Sequence, residues 1–202
     1  MKKVIIAFSI LFSLCSVATL QAQTAKEVLD KCASKVSSRE GVKADFAMTS
    51  AQYGNASGKI AVKGKMFHAT TPMATMWFDG KTLWTYMSKN EEVNVTNPSE
   101  AQLQVLNPYN FVNMYKEGYD FTMTQSTSAF IVHLTATDQS RRVKEMFITI
   151  DKKSYAPMEM KLLQKQKWTS FVISNLTTTK LSDSEFRFNS KDFPTAEVID
   201  LR

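Results

Sequence analysis

Few side chains in this chain are suited to chemistry: two histidines, His68 and His133, two cysteines, Cys15 and Cys32, and the adjacent acids Glu91 and Glu92. An enzyme needs a nucleophile beside a base, or ligands converging on a metal. In "AFIVHLTA" His133 alternates with Ile131 and Thr135, while Phe130, Val132, Leu134 and Ala136 take the other side. The pattern predicts a strand histidine that points outward. His68 shares a strand face with Met66 and Thr70, the setting of a hydrogen-bonded structural histidine. Glu91 and Glu92 adjoin a turn and read as a solvated loop. Neither a Gly-x-Ser-x-Gly elbow, a phosphate-binding glycine loop, a His-Glu-x-x-His pair nor a dinucleotide fingerprint occurs. Catalysis is the weaker reading, and the sequence calls for no cofactor and no metal.

Soft apolar surface is what the sequence concentrates instead. It holds 11 methionines, 13 phenylalanines, six tyrosines and three tryptophans. Unbranched, polarizable Met side chains repack around varied apolar shapes, which suits a surface that accepts flexible hydrocarbon. For any one Met, ordinary core filling explains as much; the argument is collective. The stretch "MWFDGKTLWTYM" carries the densest rings, around Asp79-Gly80. Asp-Gly favours a type I′ hairpin turn, which would set Met76 opposite Leu83 and Trp77 opposite Thr82. Trp77, Trp84 and Tyr86 then share one face of the ribbon, and Met76, Leu83 and Met87 the other; the pattern leaves open which face looks inward.

The elements that position these residues follow from periodicity. "TAKEVLDKCASKV" opens with a Thr24/Glu27 capping box, and Val28, Leu29, Cys32 and Val36 recur at helical spacing. Cys32 reads as a small buried residue. From Val42 to Val95 the period is two, with Gly54-Asn55 and Asp79-Gly80 as turn marks. Asn97-Pro98 and Asn107-Pro108 each read as an N-cap followed by Pro, and Gly118 as a stop, so two short helices interrupt the sheet. Alternation resumes in "YDFTMTQ", "AFIVHLTATD", "VKEMFITID", "PMEMKLLQ", "TSFVISNLTT" and "FRFN". The expectation is an α+β fold: a strongly curved antiparallel sheet of about eleven strands, an unclosed barrel, with a lid of about three helices. A concave face that wide is not filled by one layer of side chains, so helices or a ligand must occupy it.

Lys2-Lys3, the apolar run from Val4 and "ATLQAQ" read as a secretory signal peptide over residues 1–22, with a single domain over 23–202. The run is shorter than the roughly 20 residues of a membrane-spanning helix. Setting aside Lys2 and Lys3 leaves 23 basic residues against 19 acidic ones. That mild surplus, without basic and aromatic residues interleaved as in a nucleic-acid module, argues against nucleic acid as a partner. With one cysteine left after processing there is no disulfide framework.

The string "DGKTLWTY", Asp79 to Tyr86, preceded by "GKIAVKGKMFHATTP", resembles the LolA family of outer-membrane lipoprotein carriers. The similarity in layout runs over nearly all of residues 23–202. It implies a periplasmic location, an unclosed barrel lidded by helices, acylated lipoproteins as cargo, an inner-membrane ABC lipoprotein-release complex as donor, no cofactor, and a monomeric shuttle. Phe67 in "KMFHA" matches the family's cavity phenylalanine. The expected ligand-binding set is Phe46, Met48, Phe67, Met76, Trp77, Trp84 and Tyr86 from the strands, with Leu103, Leu106, Phe111 and Met114 from a lid packed over Trp77, Trp84 and Phe67. Where the family places an Arg-Pro pair after the second strand, this chain has Lys63-Gly64-Lys65, and lysine lacks the planar fork of donors. Two other readings stand beside the carrier: an envelope-stress sensor or interaction module of similar shape, like the RseB-type regulators, and a carrier of phospholipid or another amphiphile.

Overall fold

The computed structural model describes residues 23–99, 102–103 and 114–202. The expected signal peptide at 1–22 and most of the two expected central helices, Leu106 and Phe111 included, lie outside the described residues.

The chain enters through α1 (Ala25–Val36), whose start is fixed as the sequence predicts: Thr24 accepts from the Glu27 amide, and the Glu27 carboxylate accepts from the Thr24 amide. Val28, Leu29, Cys32, Ala33 and Val36 form its buried stripe. Gln23 and Lys31 both bond the Tyr155 hydroxyl, tying the helix to the loop between two strands of the far half of the sheet.

Alternating residues then build β1 (Val42–Ser50), β2 (Gly54–Lys63), β3 (Met66–Thr70), β4 (Ala74–Phe78), β5 (Leu83–Met87), β6 (Glu92–Thr96), β7 (Tyr119–Gln125), β8 (Ala129–Ala136), β9 (Val143–Asp151), β10 (Pro157–Gln164), β11 (Lys167–Thr178) and β12 (Glu197–Asp200). They form one twelve-stranded sheet in the order β12-β6-β5-β4-β3-β2-β1-β11-β10-β9-β8-β7. Neighbours pair antiparallel except β12, which pairs parallel with β6. β7 and β12 end the sheet without meeting, so it is an unclosed sheet, as expected. Of the three expected helices, α1 is the α-helix seen among the described residues.

Two expectations about local structure are corrected. "FRFN" is not a strand. Phe186 ends a 3-10 helix, Asp183–Phe186, whose start is fixed by a Ser182/Glu185 capping box, and a second short 3-10 helix, Ser190–Asp192, follows. The last strand is "EVID", beyond Pro194. The hairpin also turns one position later than Asp-Gly suggests. Asp79 Oδ1 accepts from the amides of Lys81 and Thr82, and the Asp79 amide donates to the Thr82 carbonyl. Gly80 and Lys81 are thus the central pair, with φ of +98° at Gly80 alone, which is the type II′ pattern. Trp77 therefore faces Trp84, and Met76 faces Thr85.

One glycine shapes the sheet. A Cβ on Gly58 of β2 would fall 1.9 Å from the Thr70 carbonyl oxygen, so only glycine lets the chain leave β3 at that point.

Candidate functional site

The register sorts every strand side chain to one of two faces. The inner face, against which α1 packs, carries Val42, Ala44, Phe46 and Met48 from β1, Ile60 and Val62 from β2, Phe67 and Ala69 from β3, and Met76, Phe78 and Leu83 from the hairpin. It continues across β11 to β8 through Phe171, Met160, Ile148 and Leu134. Phe67 is fully buried, with its ring 5.4 Å from that of Phe78. Cys32 sits under the same layer, and burial pushes its thiol up to about 12, so it stays protonated and unreactive.

The cover is uneven. Beneath α1 the side chains of β8, β9 and β10 are closed off from water, and Val132, Leu134, Met146, Ile148 and Met160 are all 0% exposed. Elsewhere on the same face Phe46, Met48 and Met76, and Phe121 and Met123 of the edge strand β7, are only partly buried. Leu103 and Met114, which flank the undescribed segment, are partly buried against the same cluster. Tyr115 donates to Asp30 at 2.5 Å, fastening the chain just before β7 to α1. Burial raises the Tyr115 phenol, and the neighbouring Asp30 carboxylate adds to the rise.

Of the expected ligand-binding residues, the structure brings Phe46, Met48, Phe67, Met76, Leu103 and Met114 together on the inner face. It sends Trp77, Trp84 and Tyr86 to the opposite one. Trp77 pairs with His68 in β3, whose ring stacks on it at 5.4 Å, and it meets Phe188 and Phe193 edge-on at 5.6 and 5.4 Å. The Tyr86 ring lies 4.6 Å from Phe193. The 181–193 segment is thus the partner of the outer rings, and no lid can pack on Phe67 and Trp77 together, because the sheet separates them. Lys63 helps hold the segment: its ammonium donates to the Leu181 carbonyl and the Asp183 carboxylate, both at 2.8 Å. Leu181 and the fully buried Phe186 pack on Ala61 and Met66. Phe121 and Met123 of β7 join this face without being among the expected residues, although their alternation with Thr122 and Thr124 marks one apolar face.

Two adjoining clefts, of about 810 and 370 Å³, run along β1 and β2 and share Ser57, Thr71 and Pro72. One end of this trough is lined by Ala47, Met48, Ala56 and Met73, the other by Lys43, Asp45, Lys59 and His68. Burial lowers the His68 pKa and favours the neutral ring. His133 does lie opposite Val132 and Leu134, stacked at 4.2 Å on Phe147 and 3.1 Å from Glu145. Among the described residues no three His, Cys, Asp or Glu side chains converge as a metal site would need. No described helix is long and apolar enough to cross a membrane. The surface this fold displays is apolar, half open and bordered by polar strand ends, which suits binding hydrocarbon by burial.

Comparison with known proteins agrees with this architecture. No curated protein matches the chain. Among solved structures, an uncharacterized conserved protein from Thermus thermophilus superposes with a TM-score of 0.58 at 12% identity, over 88% of this chain and 99% of that one. A LolA superfamily protein from Nitrosomonas europaea gives 0.46 at 12% identity, over 83% and 99%. A putative outer membrane lipoprotein-sorting protein domain from Vibrio parahaemolyticus gives 0.45 at 12%, over 80% and 95%. The first of these carries the likeness, and at that identity it concerns the fold alone. The model of the family described as outer membrane lipoprotein carrier protein LolA matches residues 15–166, most of the chain, and the chain belongs to that family.

Proposed function

We propose that this protein is a periplasmic carrier that shields the acyl chains of lipoproteins on the inner face of its sheet and ferries them from an inner-membrane ABC release complex to the outer membrane. The observation that carries the reading is the half-open inner face: Phe46, Met48, Met76, Phe121 and Met123 keep apolar surface accessible next to a closed core. Each buried CH₂ is worth about 0.8 kcal/mol, so acyl chains of a lipoprotein do not cross water unaided at a useful rate. A partly covered apolar sheet supplies the substitute solvent. Met side chains there adapt to chains of differing length without locking any one of them. In this reading Leu103, Leu106, Phe111 and Met114 belong to the cover that opens as cargo enters, and residues 1–22 direct export before removal. The carrier works as a monomer and needs no cofactor.

Native mass spectrometry of the protein drawn from its own cell envelope tests this. The expected result is a mass increment equal to an acylated peptide. A bare chain, or free phospholipid alone, overturns lipoprotein carriage.

A further inference from the structure

Hairpin connectivity gathers the β1–β2, β10–β11 and β8–β9 turns at one end of the sheet. Ser50 pairs with Thr169 and Gln164 with Val143, so the three turns are lateral neighbours along a single rim. Their composition is lopsided. Residues 137–144 and 164–168 hold Arg141, Arg142, Lys144, Lys165 and Lys167 against one acid, Asp138. Asp138 is already engaged by the Ser140 amide and hydroxyl. Lys165, Lys167 and Arg142 are exposed. Arg141 lies over the Tyr119 ring, and Lys144 donates to the Gln139 carbonyl. Beside these cations stand two large amphipathic rings with their surfaces in water, Trp168 at 41% and Tyr53 at 51% exposed. Val172, at 50%, extends the apolar strip from Trp168 down β11.

The Trp168 ring lies 5.8 Å from that of Phe147 and the Tyr53 hydroxyl accepts from Gln52, yet both rings keep a large surface in water that a solvated hairpin does not require. Amphipathic rings beside lysines and arginines are instead what a bilayer interface selects: the rings sit at headgroup depth and the cations meet acidic lipid. We propose that this rim, Tyr53, Trp168, Arg142, Lys165 and Lys167, docks the protein on the surface of an anionic phospholipid bilayer. The contact is peripheral and reversible. The described residues offer it no membrane-spanning helix, and its charge component is screened within about 10 Å at 0.1 M salt. It rests on the carrier reading in that docking would bring the inner face to a membrane for cargo exchange, but the surface itself is independent of cargo.

The test is flotation of the protein with vesicles of phosphatidylethanolamine containing about one third phosphatidylglycerol, against phosphatidylcholine vesicles, at low and high salt. Binding is expected to the anionic vesicles alone, weakening as salt rises. Lys165→Glu/Lys167→Glu should reduce partitioning at least about tenfold. Trp168→Ala should reduce it with the salt dependence unchanged, and Lys65→Glu/Lys81→Glu at the opposite end should leave it intact. The four lysines are exposed, and Trp168 rests against Phe147 on the surface, outside the buried core, so circular dichroism should show every variant folded. Three results overturn the proposal: no binding to anionic vesicles at low salt, equal binding by the Lys165/Lys167 variant, or binding only when the vesicles carry membrane proteins. An acyl-peptide binding assay without vesicles separates the two claims, since rim variants should retain it fully; its absence in the unaltered protein would sink the carrier and leave docking standing.

Discussion

Phe67 and Trp77 come from adjacent, paired strands, yet their rings lie on opposite sides of the sheet. Phe67 faces Phe78 inside, and Trp77 faces His68 outside. The single-residue offset divides the aromatic cluster of the β3–β5 region between two separate tasks. Phe67→Ala should open a cavity in the inner layer and cost about 3–5 kcal/mol of stability, read as a lower denaturation midpoint. Trp77→Ala should instead loosen the 181–193 segment, and proteolysis within that segment at temperatures where the sheet remains folded is the check.

The partly open inner face should be the acyl-binding surface. Phe46→Ala removes a ring that contributes about 1–2 kcal/mol when cargo covers it, so a fluorescent fatty-acid probe should bind about tenfold more weakly. The same probe should not respond to Tyr86→Ala, whose ring lies on the outer face against Phe193.

Lys63→Ala should remove both bonds to the outer segment. The pair with Asp183 is largely exposed and contributes little, while the bond to the Leu181 carbonyl contributes about 1 kcal/mol. The expected signature is faster amide exchange at residues 181–186, with the inner core unchanged.

Cys32 has a thiol held up to about 12 by burial. A raised value means the neutral form is favoured in the fold, so this contribution is present below the ordinary thiol range and fades as pH climbs toward 12. At pH 8, modification of Cys32 by a thiol reagent should run at the rate of unfolding, and a fast phase mapped to Cys32 would contradict the burial.

Asp30 has a carboxyl held low first by Lys26 and then by the Tyr115 hydroxyl. A depressed value contributes stability above the ordinary carboxylate range and loses it as pH falls through the folded value. Tyr115 is shifted the other way, so its contribution holds below the phenol's usual pKa and is lost in strong base. Tyr115→Phe should therefore reduce the dependence of stability on pH below about 4, measured by denaturation at pH 2, 3 and 5.

Much of this was legible from the chain. The capping box at Thr24 and Glu27, the period of two from Val42, and the face shared by Val132 and Leu134 are local signals, and the fold obeys them. The hairpin register was misread because the Asp79 carboxylate captures two amides and moves the turn to Gly80-Lys81, a competition that the Asp-Gly pair alone does not reveal. The alternation of "FRFN" imitates a strand, although Phe186 is buried between β2 and β3 side chains by a 3-10 turn. The Ser182-x-x-Glu185 spacing was the available clue. Which sheet face holds Trp77 depends on residues about a hundred positions away, and no local pattern records that.

β12 supplies four residues to flank β6, and they are synthesised about a hundred residues after it. Until they arrive, β6 presents a naked row of amides and carbonyls to any other extended polypeptide. A chain that folds from its N-terminal half first therefore has an unprotected border until its last strand arrives. Truncations before Glu197 should make a folded molecule that sticks to itself, not an unfolded one.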